Sequence, residues 1–134
     1  MKRILSLLLA VSMILCSFTF VYAEGEEPTF PDGAIQIATA DDLKAAANAI
    51  NADPNRGEGK YYVLTQDINL NGEQWQTYIG SATSPFKGTF DGNGHYIINY
   101  SIVYADAEGA FGLFGAAGGS AKIFNLGIKN VSIE

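Results

Sequence analysis

The sequence has little cysteine, little basic charge and a single histidine. Its one cysteine, Cys16, lies in an N-terminal apolar stretch, so the remainder of the chain can form no internal disulfide and depends on core packing. Residues 24–134 carry six basic and fourteen acidic residues, a formal charge of −8. Because such a charge repels phosphate backbones and anionic lipid heads, we expect no nucleic-acid partner and no membrane partner for this part.

The first 23 residues have the pattern of a secretory signal peptide. Lys2 and Arg3 precede the apolar run 4–20, and Ala23 provides the small residue before a cleavage site. The run is at the short limit for spanning a bilayer, which leaves an uncleaved anchor as the alternative. Leu15 lies where a lipoprotein needs a small residue before its cysteine. We therefore expect a secreted, extracellular protein, held at a bacterial cell surface.

The mature chain is predicted to begin with a flexible leader, residues 24–33, followed by one domain, residues 34–134. The leader is acidic and contains prolines. A short strand signal is followed by Thr39 as a helix N-cap, and a proline and two glycines in the range 51–59 end the helix. One helix is predicted, with its apolar stripe at Leu43, Ala46, Ala47 and Ile50.

Beyond Lys60 the pattern changes to the period of two that is typical of strands. All fifteen glycines lie within residues 24–134, which indicates many tight turns. The longest alternating run predicts a strand whose core-facing residues are Tyr96, Ile98, Tyr100, Ile102 and Tyr104.

Internal repetition is the most informative feature. Ile97–Ile102 matches Ile123–Ile128 at an offset of 26, and Gly88–Phe90 matches Gly112–Phe114 at an offset of 24. Units this small must stack to bury their apolar faces. We therefore predict an all-β fold, a right-handed parallel β-helix (solenoid) with one N-terminal capping α-helix covering its open end. This spacing would place Phe90 under Phe114, Ile98 under Phe124 and Asn99 beside Asn125.

An antiparallel architecture is the alternative. The dipeptides Asn71-Gly72, Asp91-Gly92 and Asn93-Gly94 are typical of two-residue hairpins.

The stretch Gly88–His95 contains the histidine, yet it resembles a corner more than a reaction centre. Three glycines occupy positions that need positive φ or close approach, and two side chains can bond their own turn. No cysteine or serine nucleophile accompanies the histidine. We predict no catalytic residues and a structural turn made by Gly88, Asp91, Gly92, Asn93 and Gly94.

Metal binding has one weak indication. Residues 67–72 imitate the first half of a calcium loop, but Tyr78 stands where the loop needs a bidentate glutamate. A strand running into a turn explains the pattern, so no cofactor is predicted. Calcium held between strands by Asp67 and Asp91 is the alternative.

Aromatic side chains are the candidates for ligand binding, because their flat faces stack on sugar rings. The candidates are Trp75, Tyr78, Tyr61 and Tyr62; the alternative is that Trp75 and Tyr78 cover the first turn of the stack beneath the helix. Arg56 is the only arginine of the mature chain. The mature chain is therefore poorly equipped for elimination chemistry on acidic polysaccharides, which usually needs a basic residue and a metal.

Several segments together resemble a known family. Gly112-Leu113-Phe114-Gly115, then Gly118-Gly119 and residues 123–128, are similar to the GLUG motif of bacterial secreted and cell-surface proteins. Residues 62–95 resemble the section that leads into those repeats. The resemblance implies Gly112, Leu113, Phe114, Gly115, Asn99 and Asn125 as repeat residues.

Function is interpreted from this resemblance and from the absence of a catalytic constellation. We expect a non-catalytic module with an adhesion or spacer role and weak binding to an extracellular glycan or cell-wall component. The alternative is the non-catalytic N-terminal region of a secreted polysaccharide-degrading enzyme or metalloprotease. The stack has no evident C-terminal cap, so further coils or self-association are expected at that end.

Overall fold

The structure, a computed structural model, describes residues 28–102 and 112–133. The predicted signal peptide, most of the leader's acidic part (residues 24–27) and Tyr104 lie outside the described residues. Within the leader, a turn is closed by the Ala34 N–H donating to the Pro31 carbonyl over 3.0 Å. The elements that follow are β1 (Ile35–Ile37), α1 (Ala40–Ala52), β2 (Tyr61–Leu64), β3 (Ile68–Asn69), β4 (Thr89–Asp91), β5 (Tyr96–Ile102), β6 (Lys122–Phe124) and β7 (Gly127–Ile133).

The strands form two parallel sheets. One has the order β1-β2-β4-β6 and the other β3-β5-β7, and each pairing between these strands is parallel. A further line of parallel bridges joins Ile79 to Phe114 and Phe86 to Ala117. The fold is thus all-β with one helix. The strands that flank the Asn-Gly turns lie in different sheets, β3 and β4 around Asn71-Gly72 and β4 and β5 around Asn93-Gly94, so the hairpin alternative is wrong.

The strand register corrects the predicted repeat. Phe90 pairs with Ile123 and Ile97 pairs with Ile128, so successive strands are 33 and 31 residues apart. The shorter offsets read from the sequence are wrong because they match segments that do not pair: Phe114 bridges to Ile79 and not to Phe90, and Ile123 pairs with Phe90 and not with Ile97. Phe90 and Phe114 nevertheless touch edge to face, with ring centroids 5.3 Å apart.

The alternation in β5 breaks at Asn99. Ile97 is fully buried while Ile98 is half-buried, the reverse of the prediction, whereas Tyr100 and Ile102 are buried as expected. Asn99 has φ of 56°. Because a strand alternates its side chains only while its backbone stays extended, this left-handed residue changes the parity of the strand.

Local signals account for α1. The Asp42 N–H donates to Thr39 Oγ1 over 3.1 Å, and the Thr39 N–H donates to Asp42 Oδ2 over 2.9 Å, which completes a capping box. The Thr39 hydroxyl holds the pKa of Asp42 below its ordinary value. The predicted helix and its stripe are confirmed, since the buried residues are Leu43, Ala46, Ala47 and Ile50.

The helix and the sheets share one core. The helix stripe packs with apolar residues from both sheets and from the segment that carries Trp75 and Ile79. Burial of such side chains stabilises the fold by roughly 1.5–3 kcal/mol each. This arrangement holds α1 against the first strands of the stack.

Candidate functional site

Two of the four aromatic candidates are buried. Trp75 is 3% exposed and Tyr62 is 1% exposed. The Trp75 ring lies 6.4 Å from the Tyr100 ring, and the Tyr62 ring lies 6.1 Å from that of Phe86. Burial raises the pKa of the Tyr62 and Tyr100 phenols. The prediction that Trp75 and Tyr62 present ring faces to sugars is therefore wrong, because both rings belong to the core.

Tyr61 is half-buried and bonded to Asp91. Its hydroxyl donates to Asp91 Oδ2 over 2.6 Å, which raises the pKa of Tyr61. Asp91 Oδ1 accepts from the Asn93 N–H over 2.8 Å and from Asn125 Nδ2 over 3.3 Å. Both carboxylate oxygens are occupied by protein donors, so Asp91 stabilises a corner.

Asp67 has a separate set of contacts. Its Oδ1 accepts from the Tyr96 N–H over 2.9 Å and lies 3.4 Å from His95 Nδ1. The described hydrogen bonds of Asp67 and Asp91 share no partner. Across residues 28–102 and 112–133, no group of three or more His, Cys, Asp or Glu side chains could hold a metal ion.

The glycine-rich stretch Gly88–His95 carries the chain from β4 to β5. Asn93 and Gly94 have φ of 51° and 78°. A Cβ at Gly88 or at Gly92 would overlap the backbone of an adjacent segment. The turn therefore needs these residue types for its backbone shape.

Asparagines stack across β3, β5 and β7. Asn130 Nδ2 donates to Asn99 Oδ1 over 3.2 Å, and Asn99 Nδ2 donates to Asn69 Oδ1 over 2.9 Å. The predicted pairing of Asn99 with Asn125 is wrong. Asn125 directly follows β6 in the other sheet, where it bonds Asp91 instead.

The segment with the predicted repeat residues 112–115 pairs with the strand-like segment around Ile79. The Ile79 N–H donates to the Leu113 carbonyl over 2.9 Å, and the Gly115 N–H donates to the Ile79 carbonyl over 3.0 Å. Leu113 is buried, and Gly112 has φ of 156°. These residues therefore have a structural role in the described fold.

Asn51, near the end of α1, bonds the side of the Ile79 segment that faces away from Leu113 and Gly115. Asn51 Nδ2 donates to the Tyr78 carbonyl over 2.6 Å, and Asn51 Oδ1 accepts from the Gly80 N–H over 2.9 Å. In a parallel ladder, alternate residues of a strand bond opposite neighbours. The Asn51 carboxamide thus takes the place of a peptide group from a further strand.

A polar cavity of about 420 Å³ lies beside this cap. Its lining includes one cation, Arg56, and no carboxylate. The guanidinium donates through Nη1 to the Asn51 carbonyl and through Nη2 to Ser84 Oγ, the latter over 3.1 Å. The rest of the lining consists of Gln76, Thr77, Tyr78, Gly80 and Ser81. Tyr78 is thus the predicted aromatic that the structure places in this cavity.

The strands β6 and β7, which we call the open edge, are each last in their sheet. Apolar side chains are exposed there, although such residues are normally buried in a sheet. They are Ile123 and Phe124 at 39%, Ile128 at 43%, Val131 at 48% and Ile133 at 71% exposure.

Sequence reasoning missed the roles of Asn51 and Arg56. The sequence pattern predicts Asn51 only as part of the segment that ends the helix, and Arg56 only as the single arginine of residues 24–134. A polar residue at the helix terminus, next to an otherwise open ladder, is the signal that would have indicated a cap. No local pattern joins Arg56 to residues 76–84.

The helix of the described region is too short and too polar to cross a membrane.

The described residues thus form an all-β domain with two parallel sheets, one helix and a polar cavity. The sequence of this chain was compared with those of known proteins. Halomucin from Haloquadratum walsbyi is similar to it, 31% identical over 131 residues, which covers 86% of this chain and 1% of that protein. A putative Gly-rich membrane protein from Evansella cellulosilytica is 33% identical over 92 residues, which covers 64% of this chain and 10% of that protein. The chain therefore spans a tenth or less of the length of these relatives. No family model and no solved structure matches it.

Proposed function

We propose that this chain is the helix-capped first part of a right-handed parallel β-helix, and that it is a non-catalytic spacer and adhesion module of an exported bacterial surface protein. The observation that carries the proposal is the open edge. Five large apolar side chains are exposed on two strands that end their sheets. Exposed edges of this kind pair with further strands.

The asparagine stacks support the same continuation. In each stack, a side-chain oxygen of one strand accepts from the Nδ2 of the next, as Asn99 accepts from Asn130 and Asp91 from Asn125. Asn125 and Asn130 are the last rungs that the structure describes. A further coil with asparagines at the same two positions would extend both stacks and cover the apolar side chains.

The surface location is supported by the predicted signal peptide and by the relatives. One of them is named as a membrane protein, and both are far longer than this chain. The resemblance of residues 112–128 to the GLUG motif agrees with an exported repeat protein. An extracellular glycan or cell-wall component is the expected partner, and no cofactor is needed.

The first test is the intact mass of the native secreted protein, with sequencing of both termini. We expect a mass well above that of residues 24–134, from additional coils or from tight self-association. A catalytic domain within the additional mass would make this chain the non-catalytic N-terminal region of an enzyme. A native monomer consisting of residues 24–134 alone would contradict the proposal.

Hydrogen exchange provides a second test at residue resolution. Covering the open edge would protect those amides of β6 and β7 that do not bond β4 and β5. We expect these amides to exchange much more slowly in the native protein than in isolated residues 24–134. The amides of α1 are the internal control, because the helix is capped in both samples. Equal exchange of the open-edge amides in both samples would contradict the proposal.

A further inference from the structure

We propose that the cavity at Arg56 binds the carboxylate of an acidic sugar residue. This inference deepens the proposed adhesion role and rests on it for its extracellular setting. It concerns a different part of the molecule from the open edge.

Arg56 has the chemistry and the free capacity for a carboxylate. A guanidinium carries five N–H donors in a planar fork that matches the two oxygens of a carboxylate. Two of the five are used in the bonds to the Asn51 carbonyl and Ser84 Oγ. In the part of the chain that the structure describes, Lys44 and Lys60 each pair with a carboxylate, whereas no ion pair involves Arg56.

The guanidinium is also held in position. Its two bonds join the end of α1 to the loop at Ser84, which restricts the side chain before any ligand arrives. A restricted group loses less conformational entropy on binding. Arg56 has φ of 53°, and the other non-glycine residues with positive φ in the described ranges are asparagines. Its backbone is thus in a sparsely populated region, as is frequent at ligand sites.

The remainder of the cavity suits hydroxyl groups. Gln76, Thr77 and Ser81 offer amide and hydroxyl groups that both donate and accept, and Tyr78 adds an aromatic side chain. Such a mixture fits the alternating donors and acceptors of a sugar ring better than an apolar ligand.

The charge of the protein narrows the ligand class further. With −8 on residues 24–134, a polymer with an anionic group on each residue is repelled by most of the surface. One cation in a neutral polar cavity therefore favours a single carboxylated sugar within a mostly neutral glycan.

The test uses the native secreted protein and three probes: methyl β-D-glucuronide, methyl β-D-glucoside and acetate. Binding is followed by NMR titration of backbone amides. We expect the glucuronide to bind at least about tenfold more tightly than either other probe, with shifts at residues 76–84, since hydrogen bonds between charged groups are the stronger class. Equal affinity for the glucoside would overturn the role of charge. Equal affinity for acetate would contradict a contribution of the sugar ring, and the absence of any binding would contradict the proposed site.

Variants locate the site. Arg56→Gln should weaken glucuronide binding about tenfold or more and leave glucoside binding unchanged. Lys122→Gln, which removes one positive charge from β6 and lies outside the cavity lining, is the matched control and should change affinity less than twofold. Because Arg56 also supports the fold, Gln76→Ala is a second variant: its side chain is exposed, so its loss should weaken binding severalfold without lowering Tm. Unchanged affinity in both cavity variants would overturn the proposal.

Failure of this inference is distinguishable from failure of the proposed function. If a large, stacked native protein did not bind the glucuronide, the carboxylated sugar would be excluded as the ligand, and the proposed spacer module would stand. Conversely, if the native protein were a monomer of residues 24–134 that bound the glucuronide, the site at Arg56 would stand, and the proposal that further coils continue the stack would be contradicted.

Discussion

The two edges of the sheets meet solvent in different ways. At the edge near β1, the helix α1 buries its stripe against the core, and Asn51 takes the place of a peptide group. At the open edge, the side chains of β6 and β7 are exposed without such a cover in the described residues. At the segment that carries Ile79, one carboxamide of the helix thus takes the two hydrogen bonds that a neighbouring strand would otherwise provide.

The same residue types therefore experience different environments at the two edges. Ile50 is fully buried in the helix stripe, and Ile133 is 71% exposed. Lys44 Nζ lies 2.5 Å from Glu73 Oε2 and joins the helix to the segment beneath it. Matched substitutions at the two edges measure how much the cap contributes.

The largest difference is expected from isoleucine truncation. Ile50→Ala removes a fully buried side chain and should lower the free energy of unfolding by about 2–5 kcal/mol. Ile133→Ala, the matched control at the open edge, should change it by no more than about 0.5 kcal/mol in isolated residues 24–134, where no further coil covers that edge. Urea unfolding of both variants measures the difference. Equal losses in isolated residues 24–134 would contradict the difference between the two edges.

A smaller difference is expected from replacing the capping carboxamide by a carboxylate. Asn51→Asp removes the donor to the Tyr78 carbonyl and places negative charge at a helix C-terminus, so it should destabilise by about 1–3 kcal/mol. Asn130→Asp makes the same change at an exposed rung of the open edge and should cost less than about 1 kcal/mol. Thermal unfolding of the pair is the measurement. A larger effect at Asn130 would reverse the comparison.

The free energy of unfolding that is lost on substitution should be larger in the middle of the asparagine stack than at its end. Asn99→Ala breaks two described side-chain bonds and places alanine at positive φ, with an expected cost of about 1–2 kcal/mol. Asn130→Ala breaks one such bond and also places alanine at positive φ, since Asn130 has φ of 54°. Asn99→Gly separates the two causes, because glycine accepts the backbone conformation. Chemical denaturation should rank the losses with Asn99→Ala above Asn99→Gly, and an equal loss would exclude a backbone contribution.

The smallest effect concerns acid. The hydrogen bond from the Thr39 side chain holds the pKa of Asp42 below the ordinary 3.8. The hydrogen bond from Lys60 does the same for the pKa of Asp53. A carboxylate with a lowered folded-state pKa stabilises the fold above pH 3.8, and this contribution is lost as the pH falls through the folded-state value. β6 and β7 contain no carboxylate. We therefore expect the helical circular dichroism signal to weaken below pH 3.8 before the open-edge amides lose protection, with their exchange rates corrected for the intrinsic pH dependence of amide exchange.

Asp42→Asn is the control for the acid experiment. It removes one of the titrating groups, so the helical signal should depend less on pH in this variant. An unchanged pH dependence would assign the acid effect to other carboxylates.

Features set by neighbouring residues could be predicted from the sequence, whereas register could not. The stripe from Leu43 to Ile50 and the Thr39 cap are local, and both predictions are confirmed. The strand spacing depends on loop lengths, and two segments compete as matches to Ile97–Ile102. One is Ile123–Ile128, and the other is Ile128–Ile133, which shares Ile, Asn, Ser and Ile at the same places. The pairing of β5 with β7 selects the second match.

The cavity and the parity of β5 depend on facts that sequence patterns do not contain. Asn99 changes the parity through its φ, and nothing in an alternating run of apolar residues shows that value. The cavity joins Asn51 and Arg56 to residues 76–84 through folding. Trp75 and Tyr62 were candidates because aromatic residues serve both cores and sugar sites, and only burial distinguishes the two uses.

The asparagine corners also bear on chemical ageing. In Asn-Gly sequences such as Asn71-Gly72 and Asn93-Gly94, attack of the glycine amide nitrogen on the asparagine side chain leads to deamidation. Here the Gly72 N–H donates to the Asn99 carbonyl over 3.1 Å, and the Gly94 N–H donates to the Asn125 carbonyl over 2.9 Å. Both nucleophiles are thus held by the next strand along. Stacking therefore slows the loss of the residues that shape the corners.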